Sequence, residues 1–163
     1  MIEIIRATTD QQFLIIEQLA EKIWKAHYTP IIGAEQVAYM LEKFQSFTAM
    51  KLQVQDGLEY YELKYNNVCV GYIGFKNEEE NLFLSKVYVD ADYRGKSIGK
   101  KAIQFVEEQA RHRNKKGVRL TVNKYNENSI AVYKKMNFKV IDDVVADIGK
   151  GYVMDDYILV KSV

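Results

Sequence analysis

Val87-Tyr88-Val89-Asp90-Ala91-Asp92-Tyr93-Arg94-Gly95-Lys96-Ser97-Ile98-Gly99-Lys100-Lys101 reads as a β-strand that enters a glycine-containing turn and continues into a helix. The first amides of a helix have no internal partner and point outward at the positive end of its dipole, so this turn is an anion site. Gly95 lets the backbone approach a phosphate with no Cβ in the way, and Gly99 does the same in the first helical turn. Arg94, Lys96 and Lys100 add positive charge, while Ser97 and Ile98 contribute amides. Two nucleotide-binding patterns fail on spacing. G-x-G-x-x-G is absent because Gly95 and Gly99 are four apart. Gly95-Lys96-Ser97 could end a G-x-x-x-x-G-K-[ST] loop, but its first glycine would fall on Asp90.

Upstream of this turn, Leu82 to Val89 is the strand that feeds it. Leu58 to Tyr65 and Val68 to Phe75 are two further strands, joined at Asn66-Asn67, where asparagine tolerates the positive φ of a two-residue hairpin turn. Ile2 to Arg6 is a short strand, and Thr8, Thr9 or Asp10 can cap the helix after it. Phe13, Ile16, Leu19, Ala20, Ile23 and Trp24 recur there at helical spacing. Pro30 and Gly33 break the chain before a second helix striped by Ala34, Val37, Met40, Leu41 and Phe44. Downstream, the helix opened at Gly99 runs to about His112. Val118 to Val122 is a strand, Asn126 to Met136 a helix, and Phe138 to Val145 and Tyr152 to Val160 the closing strands. Strands alternating with helices in the second half predict an α/β sheet with a parallel pair around the Arg94 helix. A length of 163 residues with no repeat or linker fits a single domain, 1–163.

Charge narrows the ligand. Lys plus Arg number 23 and Asp plus Glu 22, which gives no global attraction to nucleic acid or membrane. Between Arg94 and Arg119, however, nine Lys or Arg stand against two Glu, with acidic stretches on either side. A basic segment inside a neutral chain suggests a polyanionic ligand held at one place. A nucleic-acid binder would interleave aromatics with those cations, and the segment holds only Phe105, at a core-like helical position. The one cysteine, Cys69, excludes an internal disulfide and a thiolate zinc cluster, and its apolar run reads as a structural thiol. The N-terminus MIEIIRATTD has neither the apolar stretch nor the cleavage pattern of a leader or anchor, so the cytoplasm is the expected location.

Arg94-Gly95-Lys96-Ser97-Ile98-Gly99 resembles motif A of the GNAT acetyltransferases, R/Q-x-x-G-x-G/A, with Ser97 in place of the first motif glycine. Serine fits there if its φ is negative, with a hydroxyl able to donate to a phosphate. A positive φ predicts weaker binding. Asn126 to Phe138 is similar to the family segment N-x-x-A-x-x-x-Y-x-x-x-G-F. Asn126, Ser129, Tyr133 and Phe138 match, and Asn137 replaces the glycine. Asparagine is the next-best residue for a left-handed helix C-terminus. The resemblance covers residues 58 to 160, and residues 1 to 50 fit the family's opening in outline.

The resemblance implies the GNAT fold: a mixed, mostly antiparallel α/β (α+β) sheet of about seven strands with helices on both faces. A splayed parallel pair would form the cofactor cleft. It implies acetyl-CoA as cosubstrate, no metal, and direct transfer of acetyl to a primary amine, either of a small molecule such as a polyamine or of a protein or peptide. Val87 and Val89 would bind the acetyl and pantetheine arm, the Arg94–Lys100 turn the pyrophosphate, and Asn126 the pantetheine or its own helix. Tyr133 would be the general acid. The stretch Phe83-Leu84-Ser85-Lys86 lacks the carboxylate many relatives use as base, and Glu80, His27 and Glu35 read as surface. Trp24, His27, Tyr28 and Phe44 fall in the part that selects the acceptor. A homodimer is compatible with the resemblance. The competing reading is a non-catalytic acetyl-CoA-binding or sensor protein on the same scaffold.

Overall fold

The computed structural model describes all residues, Met1–Val163. Seven strands form one sheet: β1 (Ile2–Arg6), β2 (Glu59–Tyr65), β3 (Val68–Asn77), β4 (Asn81–Val89), β5 (Gly117–Asn123), β6 (Lys139–Gly149) and β7 (Tyr152–Ser162). Their order is β1-β2-β3-β4-β5-β7-β6. Every neighbouring pair is antiparallel except β4 and β5. Five helices complete the chain: α1 (Asp10–Ile32), α2 (Ala34–Gln45), α3 (Phe47–Gln55), α4 (Ile98–His112) and α5 (Glu127–Lys135), with a single 3₁₀ turn at Ala91–Tyr93.

The strand period of two divides the core between the two faces of the sheet. On one face Tyr61, Leu63, Ile73, Phe75, Leu82, Leu84, Val118 and Leu120 pack with Ile98, Ala102, Ile103, Val106 and Ala110 of α4. On the other, Tyr60 and Tyr72 pack with Phe13, Ile16, Ala20, Ile23 and Trp24 of α1 and with Val37, Met40 and Met50 of α2 and α3. Burying each large apolar side chain contributes roughly 1.5–3 kcal/mol. The α1 stripe read from the sequence is therefore what clamps that helix to the sheet.

Three expectations are corrected. Pro30 does not stop α1, which runs two residues further to Ile32 and ends at Gly33, φ +86°. Proline in the last turn removes one hydrogen bond and leaves the turns before it intact. A third helix, α3, follows Ser46, which caps it by accepting from the Ala49 amide at 3.2 Å. Its only buried residue is Met50, so it carries no apolar stripe to announce it. β6 runs to Gly149, four residues past its read end at Val145, β3 runs two residues further to Asn77, and Glu59, Gly117 and Lys161 to Ser162 mark shifts of one or two residues in other strand bounds. Asn66 and Asn67 adopt φ of +49° and +68°, as the hairpin reading requires. No helix is long and apolar enough to cross a membrane.

Candidate active site

The alternation of β4 changes phase in mid-strand. Leu82 and Leu84 face α4, and Val87 and Val89 pack on the same side, which period two forbids without an extra residue. Ser85 is that residue: Gly74 pairs with Lys86 and Phe75 with Leu84, which makes a β-bulge. The parallel pairing of β4 with β5 ends at Leu84 and Leu120, directly before the bulge. β5 continues alongside β7 to Asn123, so β4 and β5 diverge from the bulge onward. The Asp90 amide donates to Val70 on β3 at 2.8 Å. Amides two residues apart point the same way along a strand, so those of Val87 and Val89 face the gap.

A cavity of about 710 Å³ occupies this gap and runs beneath α1 and α2. Val87, Val89, Arg94, Gly99, Lys100, Asn126 and Tyr133 line it, which unites most of the residues singled out in the sequence. Gly95, Lys96, Ser97 and Ile98 form the adjoining turn. Ile98 buries its side chain in the core and presents only its amide. Lys96 places its ammonium 5.4 Å from the centre of the Tyr65 ring, away from the cavity. Lys101 N–H donates to Ser97 O at 3.0 Å as the first bond of α4, which leaves the amides of Ile98, Gly99 and Lys100 free for an anion. Ser97 sits at φ +61°, ψ 21°, the left-handed region. The favourable condition for serine therefore does not hold, and the position is strained by roughly 1 kcal/mol. Lys22 on α1 steadies the turn through Asp90 at 2.7 Å and Asp92 at 3.2 Å.

The basic segment divides in two. Arg113 pairs with Glu59, Lys116 with Glu80 and Arg119 with Glu78, so three of the five cations in its C-terminal half are taken up by carboxylates. Arg94 and Lys100 remain at the cavity. The cations are thus concentrated at the helix start, which fits a polyphosphate.

Helix α5 shows why the second motif has its spacing. Asn126 caps it, its Oδ1 accepting from the Ser129 amide at 3.4 Å. At the other end Asn137 takes φ +73°. The Asn137 amide donates to Lys134 O and the Phe138 amide to Tyr133 O, both at 3.0 Å, which is a Schellman closure. The Phe138 ring meets Tyr133 edge-on at 5.8 Å between centroids, the apolar contact that accompanies such a cap. The two caps and this contact hold Tyr133 where it lines the cavity.

The cap also reaches across the cleft. With its Oδ1 engaged, Asn126 turns Nδ2 toward His27 Nε2 at 3.0 Å, so the imidazole accepts there and carries its proton on Nδ1. Burial and then the Arg94 charge lower the His27 pKa below its ordinary value. Trp24, His27, Tyr28 and Phe44 all line the cavity. His27 therefore belongs to the site, whereas Glu80 is exposed and paired with Lys116 and Glu35 is exposed on α2. Trp24 packs on Tyr28 and Tyr88, both at 5.4 Å, and the Tyr28 and Tyr88 hydroxyls are 3.0 Å apart. Burial pushes Tyr28 up to about 12 and Tyr133 well above 10, so both phenols stay protonated.

Two lining residues escaped the sequence reading. Asp156 on β7, opposite Asn123, is 8% exposed. Its Oδ1 is buried without a hydrogen-bond partner. The neighbouring Asp155 Oδ1 lies 2.9 Å from Lys124. Burial, then the Asp155 charge, raises the Asp156 pKa to about 6 against a smaller pull from Lys124. Lys86, next to the bulge, donates to Ser85 Oγ at 2.9 Å, and burial lowers it to about 8. An acidic residue in a strand ordinarily reads as solvent-facing, which hid Asp156. The phase change between Leu84 and Val87 was the available signal for the bulge. Cys69 is half-buried, with a thiol that burial pushes up to about 11.

Residues 16–138 match the family described as Acetyltransferase (GNAT) family. The chain belongs to that family. Among solved structures it is similar to PaiA N-acetyltransferase from Thermoplasma acidophilum in complex with coenzyme A. The TM-score is 0.83 at 22% identity, covering 100% of this chain and 99% of that one. A GCN5-related N-acetyltransferase from Rhodopseudomonas palustris superposes at 0.83 with 13% identity, covering 99% and 95%. The ribosomal-protein-S18-alanine N-acetyltransferase from Escherichia coli does so at 0.74 with 13% identity, covering 99% and 94%. At these identities the likeness establishes a shared GNAT fold, seven mixed strands with one parallel pair.

Proposed function

We propose that this protein is an acetyl-CoA-dependent N-acetyltransferase that acetylates a primary amine by direct attack. The observation that carries the proposal is one cavity containing both the open edge of β4 and the cationic start of α4. The donor set fits coenzyme A: free helix amides with Arg94 and Lys100 suit a pyrophosphate, and the amides of Val87 and Val89 suit an amide-bearing arm. When bound, acetyl-CoA supplies a thioester whose carbonyl carbon bonds to the amine nitrogen as the carbon–sulfur bond breaks and its electron pair leaves on sulfur.

An ammonium of ordinary pKa ~10.4 must first lose a proton, which costs ~4.6 kcal/mol at pH 7. We assign that proton to Asp156, which lines the cavity and has one buried carboxylate oxygen without a hydrogen-bond partner. Asp156 then returns its proton to water. Tyr133 meets the developing charge on sulfur. A phenol raised this far is a weaker acid than the thiol it would protonate, so Tyr133 works first as a hydrogen-bond donor. As its proton moves to sulfur, the second proton leaving nitrogen replaces it. The balance is one ammonium and one thioester in, one amide, one thiol and one proton out. His27, neutral and held by Asn126, braces α1 against α5.

A thermal shift with acetyl-CoA, using ATP and NAD as controls, tests the proposal. At ~100 times Kd a ligand adds about 2.7 kcal/mol, a rise of roughly 5–11 °C for a domain this size. A rise with acetyl-CoA alone, followed by thiol release on adding an amine, supports an enzyme. Binding without release to any amine would favour a sensor, and no rise would refute the coenzyme assignment.

A further inference from the structure

The acceptor end of the cavity has a charge pattern that the transfer reaction does not by itself require. Its lining contains five residues with ionisable or basic side chains other than tyrosine: His27, Lys86, Arg94, Lys100 and Asp156. Arg94 and Lys100 belong to the anion turn, and His27 is neutral. One carboxylate and one ammonium are left, and neither is neutralised by the protein. Asp156 has an oxygen with no partner. The Lys86 ammonium donates to a neutral hydroxyl, Ser85 Oγ, and lies 5.9 Å from the centre of the Tyr60 ring. Burial of an unpaired cation lowers its pKa, as Lys86 shows at about 8. Such a group is costly unless a ligand completes it.

We propose that the acceptor is an amine that also carries an acidic group, its ammonium received by Asp156 and its anion by Lys86. This inference rests on the acetyltransferase reading and names the substrate class of that site. A polyamine brings two or more cations to a cavity with a single carboxylate and an opposing lysine. An amino acid with separated charges matches both poles. The separation follows from the sheet: β4 and β7 flank β5, two strand spacings or about 10 Å apart, and the splay widens this. The Lys86 ammonium lies over Tyr60 of β2, on the side away from β7. The acceptor therefore holds its amine and its acid several carbons apart, as in an ω-amino acid or at the ε-amine of lysine.

Matched amines test this: 6-aminohexanoate against n-pentylamine, γ-aminobutyrate against n-propylamine, lysine against cadaverine, and phosphoethanolamine against ethanolamine, with spermidine and spermine alongside. Two readouts are used, thiol release under saturating acetyl-CoA and the melting temperature with each amine, with and without CoA. The expected result is that the acidic member of the longer pairs is preferred tenfold or more in kcat/KM and alone raises the melting temperature. The phosphate pair shows whether carboxylate or phosphate is the preferred anion. Lys86→Met brings the acidic member down to the level of its partner, and Lys86→Arg restores part of the preference. Preference for spermidine or cadaverine, or a preference unaffected by Lys86→Met, overturns the inference. So does CoA binding with no acidic amine either turned over or stabilising. Loss of CoA binding itself would instead strike the coenzyme assignment and take this inference with it.

Discussion

Replacing Asp156 with asparagine separates a carboxylate kept for chemistry from one kept for structure. Its carboxyl is raised from the usual 3.8 to about 6. At about 1.4 kcal/mol per pK unit, ionising it in place costs about 3 kcal/mol. Solvent screening reduces part of that, and the introduced amide has unsatisfied hydrogens of its own. The expected net gain is therefore about 1–2 kcal/mol, or roughly 2–8 °C in melting temperature at pH 8. The sign follows from linkage. A carboxyl with a raised folded-state pKa holds its proton in the native state, so its favourable contribution is full below 3.8 and is lost as pH rises through about 6. Wild type should lose stability between pH 4 and 7 relative to Asp156→Asn, with a constant gap above pH 7. In the same variant kcat/KM for the amine should fall on the order of 100-fold, and the acidic limb near pH 6 should vanish. Calorimetry across pH 4–8 and a pH–rate profile make the check. A lower melting temperature with an unchanged pH–rate profile would refute the reasoning.

Two further outcomes follow from the backbone and from the caps of α5. Ser97→Gly relieves the left-handed strain less the added chain entropy of glycine, a net gain of at most about 0.5 kcal/mol. It should raise the melting temperature by up to roughly 2 °C and tighten acetyl-CoA binding measured by calorimetric titration, and a lower melting temperature would show that Ser97 is not strained. Tyr133→Phe keeps the ring contact with Phe138 and should lower kcat on the order of 100-fold with acetyl-CoA affinity nearly unchanged. An unaltered kcat removes Tyr133 from the reaction.

What the sequence disclosed and what it concealed divide along one physical line. The turn at Arg94 to Gly99 and the two ends of α5 are local constructions, so spacing alone reveals them. Asn137 replaces a glycine and still closes the helix, because the left-handed position asks for low strain and not for one residue type. Ser97 makes the opposite case. Its pattern position was legible, but only the backbone angle tells whether serine is comfortable there. The acceptor site was less legible, since its poles come from distant strands. Lys86 and Asp156 are 70 residues apart in the chain, and each is polar in a strand where polarity ordinarily means solvent. Their significance arises from the bulge at Ser85, which ends the β4–β5 pairing and opens a cavity beside both. A carboxylate without a partner, in a family whose usual strand carboxylate is missing here, turns that departure into an argument. On the proposed reading the proton acceptor lies across the cleft on β7, and the lysine at the bulge sets a condition on which amines can use it.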